Sequence, residues 1–386
     1  MAAVSKSSAR RSLLKFMLQS PLLAVVSPAV FARPELAIPE TARQALDVFQ
    51  IKAAASQRLS LPAWHFIVNG ADAGKTMAAN RAVFDEWELR VRRMVDVSSI
   101  DTSLELFGQK LTSPILLAPV GAQRVIHMDG ELATAEAAKK KSHLMICSMM
   151  TNYSYTDIAA VGGQTWFQLY GAPHEAQNRH MLGMAEDAGC PVVVLTVDTA
   201  TRGNREGERW FRKESTVNDF PLGNFVGYTG KRGVGDPAMT WKFIDWLRAN
   251  TRMKIVLKGI VTREDAALAV KYGVDGLIVS NHGGRQEESN RATLDSLIEV
   301  LDGVQGDIPV LIDSGIRRGT DTYKALALGA TAVCIGRPYL WGLGAFGQAG
   351  VERVLKIEQD ELLTTMRFAG ATTLAEIRPE SLLRSS

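Results

Sequence analysis

Cysteine is scarce in this 386-residue chain. The three present, Cys147, Cys190 and Cys334, lie within or beside apolar runs and lack metal-ligand spacing. That argues against a disulfide-built scaffold or a zinc site and leaves buried free thiols. Charge of one sign is not in excess either: 44 Lys and Arg stand against 41 Asp and Glu, so nothing points to a nucleic-acid partner. Long hydrophobic runs are missing too. The stretch from Met17 to Val30 is short and broken by Pro21 and Pro28, which disfavours a membrane-spanning helix. What the chain does have is a hydrophobic content of 46%, ample for one large core or two ordinary ones.

The N-terminus has its own pattern. Ala9-Arg10-Arg11-Ser12-Leu13-Leu14-Lys15-Phe16 precedes the apolar run, and Val30-Phe31-Ala32 offers small residues where a signal peptidase reads. Basic, apolar and small-residue regions in that order form a signal-peptide layout over residues 1–32. The paired arginines resemble the twin-arginine export signal of bacteria, which carries folded proteins. The expectation is a periplasmic protein whose residues 33–386 form a single domain.

Ala42 to Val68 reads as helical, with a second short helix starting at Leu61-Pro62, and Asn80 to Val95 has helix-like spacing. Eight short apolar runs follow: Pro114–Pro119, His143–Ser148, Thr165–Tyr170, Pro191–Asp198, Lys254–Gly259, Asp275–Ser280, Ile308–Asp313 and Ala332–Gly336. Most are continuous rather than alternating, as in strands buried on both faces. Helix-like segments separate most of them, among them Gly130–Lys141, Arg263–Tyr272, Ala292–Leu301 and Asp321–Leu328. Eight strand–helix units predict an α/β fold, a (β/α)8 TIM barrel over about residues 110–370 with an N-terminal helical extension. The long connection after the fourth strand, Thr199 to Thr240, reads as a partly mobile lid over the mouth.

Active sites in such barrels gather at the C-terminal strand ends. Those ends carry Pro119-Val120-Gly121, Ser148, Gln168 with Tyr170, Thr196 with Asp198 and Arg205, Lys258, Ser280-Asn281-His282 with Arg285, Asp313-Ser314-Gly315 with Arg317, and Gly336-Arg337. Packing alone does not call for Lys, His, Arg and Tyr at so many strand ends. A histidine moves protons near neutral pH, and arginine grips a carboxylate through two parallel hydrogen bonds. The last two ends combine glycine with arginine where this fold commonly binds phosphate.

Lys258-Gly259, the segment Ser280-Asn281-His282-Gly283-Gly284-Arg285-Gln286, the segment from Asp313 to Thr320, and Ile335-Gly336-Arg337-Pro338 together resemble the FMN-dependent 2-hydroxy-acid oxidase and dehydrogenase family. The likeness runs from about Leu61 to Ile377. It implies FMN as cofactor and an L-2-hydroxy acid as substrate; no aromatic-substrate pocket can be read from the sequence, which favours a small lactate-like acid. His282 would be the base, oriented by Asp198. Arg205 and Arg285 would hold the substrate carboxylate, and Tyr170 its hydroxyl. Lys258 would stand beside the flavin's polar edge. Pro119, Val120, Gly121, Ser148, Gln168, Thr196 and Ser280 would surround the ring, while Asp313, Ser314, Gly315, Arg317, Gly336 and Arg337 would meet the ribityl and phosphate groups. Electrons would pass to oxygen or to an external quinone or cytochrome, and the family is often tetrameric. Three positions depart from the pattern: Phe66 replaces a carboxylate-binding tyrosine, Ser314 replaces a glycine, and Gly121 stands where many oxidases carry alanine. Two rivals remain: an FMN barrel of the isomerase or nucleotide-dehydrogenase type, and a non-catalytic flavin-binding protein.

Overall fold

The computed structural model describes residues 37–211 and 220–385. The segment read as an export signal lies outside them. By its contacts the chain divides into Met1–Ile38 and Pro39–Ser386, and the barrel belongs to the second unit.

Eight parallel strands close on themselves: β1 (Ile115–Leu117), β2 (Met145–Ser148), β3 (Thr165–Tyr170), β4 (Val192–Thr196), β5 (Lys254–Ile260), β6 (Gly276–Val279), β7 (Val310–Asp313) and β8 (Ala332–Ile335). Each pairs with its successor, and β8 pairs with β1. The helices are α1 (Val48–Arg58), α2 (Leu61–Val68), α3 (Lys75–Ala82), α4 (Gly130–Lys141), α5 (Tyr155–Ala160), α6 (Glu175–Asp187), α7 (Glu206–Trp210), α8 (Lys242–Asn250), α9 (Arg263–Lys271), α10 (Thr293–Val304), α11 (Gly319–Ala327) and the kinked α12 (Arg337–Ala369).

The period-2 geometry of strands explains why the runs are apolar throughout. Outward positions such as Leu117, Cys147, Phe167, Leu195, Leu257, Val279, Ile312 and Val333 pack in the layer beneath the helices. Inward positions Leu116, Ile146, Trp166, Val194, Val256, Ile278, Leu311 and Ala332 fill the barrel. On the inward parity two residues further along β2 to β7 stand Ser148, Gln168, Thr196, Lys258, Ser280 and Asp313. The barrel interior thus turns from apolar to polar at its C-terminal end, and the site follows from that switch.

The helical reading of Ala42 to Val68 resolves into α1 and α2. Ser60 caps α2, accepting the Ala63 N–H, and Pro62 lies in its first turn, where a missing N–H costs nothing. The helix expected over Asn80 to Val95 is not there. α3 starts earlier, at Lys75, and ends at Ala82. Trp87–Leu89 is instead an extended strand paired antiparallel with Leu382–Arg384. The partner lies nearly three hundred residues away, so tertiary pairing overrides the local helical spacing. Two further elements were not anticipated. α12 lies against α1, and a hairpin, Leu104–Leu106 with Gln109–Leu111, closes the barrel floor. The hairpin's Phe107 ring lies 5.4 Å from that of Trp166, whose Nε1–H donates to Gln109 at 2.6 Å.

Candidate active site

A cavity of about 520 Å³ opens at the C-terminal end of the strands, well within the range of small-molecule sites. His282 lies in its wall on a left-handed backbone (φ 58°), followed by Gly283 and Gly284, also at positive φ. That conformation is costly for histidine and marks a position held by its surroundings. Its N–H donates to Ser280 Oγ at 3.0 Å, and its Nδ1 lies 3.0 Å from Asp198 Oδ1. Burial pushes the imidazole below its ordinary pKa, and Asp198 offsets this only in part. Burial alone would raise Asp198, but the facing His282 and then Lys258 hold it below the usual carboxylate range. The pair is therefore a carboxylate and a neutral imidazole. Nδ1–H is tied to Asp198, which leaves Nε2 as the free acceptor.

Lys258 Nζ donates to Ser280 Oγ at 2.7 Å and meets Asp313 Oδ2 at 3.1 Å. Burial would lower its pKa, yet Asp313 and then Asp198 hold it above the ordinary lysine value, so it stays a cation. After Lys258 the β5–β6 register shifts at Gly259. A Cβ there would stand 2.8 Å from the Cβ of Asp198, so the glycine bulge makes room for the carboxylate behind His282. Burial also raises the pKa of Tyr170, despite the nearby Lys258, and the phenol remains a hydrogen-bond donor.

Arg205 and Arg285 stand side by side in the cavity lining. Arg205 Nε donates to the carbonyl of Arg285 at 3.0 Å, and Arg285 Nη1 to that of Asn69 at 3.0 Å. Burial, then the neighbouring Arg205, brings Arg285 down to about 10, still charged at neutral pH. Its guanidinium lies 5.8 Å from the centre of the Phe66 ring.

Arg317 also lines the cavity, with Gly315, Ile316 and Gly336. Arg337 lines it too, but its three donor nitrogens go to the carbonyls of Ile67, Gly283 and Asn69, at 2.9, 2.8 and 3.0 Å, the last shared with Arg285. It ties the α2 end to the β6 loop, which leaves Arg317 as the freer guanidinium. Ser314, at φ 78°, accepts from Gly283 N–H at 3.0 Å and donates to Asp313 at 2.7 Å, so its hydroxyl bridges the β7 end to the loop carrying His282. A methyl on Gly121 would approach the Met150 backbone to 2.6 Å, so Met150 occupies the space an alanine side chain would take.

Pro119, Val120, Gly121, Ser148, Lys258, Asp313, Ser314, Gly315, Arg317, Gly336 and Arg337 line the cavity, as do Phe66, Tyr170, Arg205, His282 and Arg285. Asp198, Gln168, Thr196 and Ser280 stand behind that lining. Met150, Arg202, Glu208 and Val234 also line it and were not singled out from sequence; Glu208 carried a weak signal in its three-residue spacing from Arg205. Thr199 to Arg202 and Val234 bring the long connection to the mouth, and its residues 212–219 lie outside the described ones.

Among the described residues, the buried amide of Gln168 and the hydroxyl of Thr196 have no hydrogen-bond partner. Unsatisfied buried polar groups are costly, and these two, next to the cavity, can be met by a ligand's polar edge. An oxygen- and nitrogen-rich ring edge beside Lys258, with a phosphate near Arg317, fits this set.

A sequence profile for FMN-dependent dehydrogenases matches residues 55–384. The chain is 41% identical to 2-hydroxyacid oxidase 2 of Bos taurus, over 84% of this chain and 95% of the relative. It is 38% identical to L-lactate oxidase of Lysinibacillus sphaericus, over 87% and 92%. A crystal structure of mandelate oxidase with (S)-2-phenylpropionate superimposes with a TM-score of 0.82 at 34% identity, covering 88% of this chain and 98% of that one. The chain belongs to the FMN-dependent dehydrogenase family, and FMN is its cofactor.

Proposed function

We propose that this protein oxidises a small L-2-hydroxy acid to the 2-oxo acid. The observation that carries the reading is one carboxylate-backed histidine lining the same cavity as two guanidiniums. Arg205 and Arg285 bind the substrate carboxylate, and the Tyr170 hydroxyl donates to the carbinol oxygen. His282 Nε2 accepts a proton from the carbinol group, and Asp198 stabilises the imidazolium that results. When bound, FMN supplies the two-electron acceptor. Gln168, Thr196, Ser280 and Lys258 would hold its ring edge, with Lys258 as a fixed positive charge there. Arg317, with the Ser314-Gly315 backbone, would hold its phosphate.

The names of the relatives support a lactate-like substrate and oxygen as the final acceptor. Export by the Arg10-Arg11 signal and assembly as a homo-oligomer complete the proposal, resting on the N-terminal pattern and the family. Anaerobic titration of the flavin-loaded protein with L-lactate, glycolate and L-mandelate tests the reaction. Bleaching of the flavin band is the expected result, and fast return of colour in air marks an oxidase. A yellow protein that no 2-hydroxy acid bleaches would overturn the reading.

A further inference from the structure

Glu208 lies in the cavity, and the reaction above gives it no task. It sits on α7, its side chain 15% exposed. Its Oε2 receives Arg205 Nη1 at 3.5 Å and Arg285 Nη2 at 3.4 Å, while its Oε1 receives Arg202 Nη2 at 2.5 Å. Two guanidiniums therefore aim N–H groups at one carboxylate oxygen, the arrangement that a substrate carboxylate would complete. Charge-assisted N–H···O bonds are typically about 2.7–2.9 Å. By that measure both contacts to the pair are long, and Glu208 covers it loosely.

Glu208 is not what places that pair. Arg205 and Arg285 are each fastened by a 3.0 Å bond to a backbone carbonyl, and Arg205 also reaches Gln286 Oε1 at 3.3 Å. The chain carrying Glu208 comes this close through two glycines. A Cβ on Gly203 would collide with the carbonyl of Arg285, and one on Gly207 would come within 2.6 Å of the Asn69 amide.

We propose that Glu208 is an internal carboxylate holding the substrate's place between Arg205 and Arg285, and that an incoming carboxylate displaces it from that pair while it keeps its contact with Arg202. The identity of the incoming group as a 2-hydroxy acid rests on the reading above. A ligand that binds only one of two states loses apparent affinity in proportion to the fraction of the competent state. Glu208 resting on the pair lowers that fraction, and Arg202, by holding the other carboxylate oxygen and sharing its charge, raises it. Removing Glu208's charge therefore tightens carboxylate binding, whereas a residue that merely positioned the arginines would weaken it on removal.

The test uses the full-length, FMN-loaded protein and propionate, which has the carboxylate but no hydroxyl to oxidise, followed by perturbation of the flavin absorbance. Glu208→Gln should bind propionate roughly tenfold more tightly, and KM for L-lactate should fall with it. Arg202→Gln should act in the opposite direction and weaken propionate. Unchanged or weaker binding in Glu208→Gln overturns the proposal. Should that variant fail to load flavin, Arg202→Gln decides alone, with unchanged or tighter binding overturning it. If the wild type oxidises no 2-hydroxy acid while propionate follows both expected directions, the reaction assignment fails and the role of Glu208 stands.

Discussion

Nδ1 of His282 lies 3.0 Å from Oδ1 of Asp198, and each residue reaches that contact through an unusual backbone feature. His282 is held at positive φ, and Asp198 fits because Gly259 has no side chain. Asp198→Asn keeps the shape but loses the charge that fixes the Nδ1–H tautomer and stabilises the imidazolium. The expected result is retained FMN with flavin reduction by L-2-hydroxy acid slowed by about 100-fold or more. His282→Ala should lose at least as much. Stopped-flow anaerobic reduction measures both, and near-normal rates in His282→Ala would refute its assignment as the base.

The pH dependence follows from the same pair. The base must be neutral to accept a proton, so activity is lost as pH falls through the pKa of His282. Burial lowers that pKa in the fold. The acid limb of kcat/KM should thus lie below about 6.5, the ordinary histidine value. Asp198 pulls the histidine upward, so the limb of Asp198→Asn should move further toward acid on its much lower plateau. A wild-type limb at or above the ordinary value would contradict the picture of a buried neutral base.

Phe66 covers Arg285 with a ring face 5.8 Å away and has no hydroxyl to offer a carboxylate. Phe66→Tyr adds one donor at the cavity wall. A neutral hydrogen bond contributes about 0.5–1.5 kcal/mol, so KM for the hydroxy acid should fall by up to about tenfold with kcat little changed. Steady-state kinetics on lactate, glycolate and mandelate would show it. Unchanged KM and substrate preference would mean that the phenol does not reach the substrate.

Much of this was legible because barrel strands are buried on both faces and their continuous apolar runs mark them without help from distant residues. Lys258, His282 and Asp313 stood out because charged or titratable side chains at strand ends do not serve packing. What was hidden depends on contacts remote in sequence. Trp87–Leu89 becomes a strand only because the C-terminal Leu382–Arg384 runs beside it. The floor hairpin turns through Phe107-Gly108, both at positive φ, rather than through the Asn-Gly or Asp-Gly that would announce such a turn. Glu208 reads as one more charge in a polar loop, and only the fold brings it onto Arg205 and Arg285.

Glu358 on α12 offers a test independent of turnover. It is fully buried, and neither carboxyl oxygen has a hydrogen-bond partner among the described residues. Burial, then Glu361 and Asp321, pushes its pKa up to about 8, while Arg317 and Arg318 pull it down. A carboxyl whose pKa is raised by folding contributes fully below its unfolded value, and that contribution is lost as pH rises through the folded value. The window therefore runs from the ordinary glutamate pKa up to about 8. Glu358→Gln keeps the shape and the neutral state at every pH. The variant should stay within about 1 kcal/mol of the wild type near pH 5 and exceed it well above pH 8 by at most about 5 kcal/mol, a Tm gain of several degrees. Thermal unfolding of both proteins at the two pH values measures the difference. Equal melting temperatures at alkaline pH would show that Glu358 ionises freely in the fold and that Arg317 already compensates its charge.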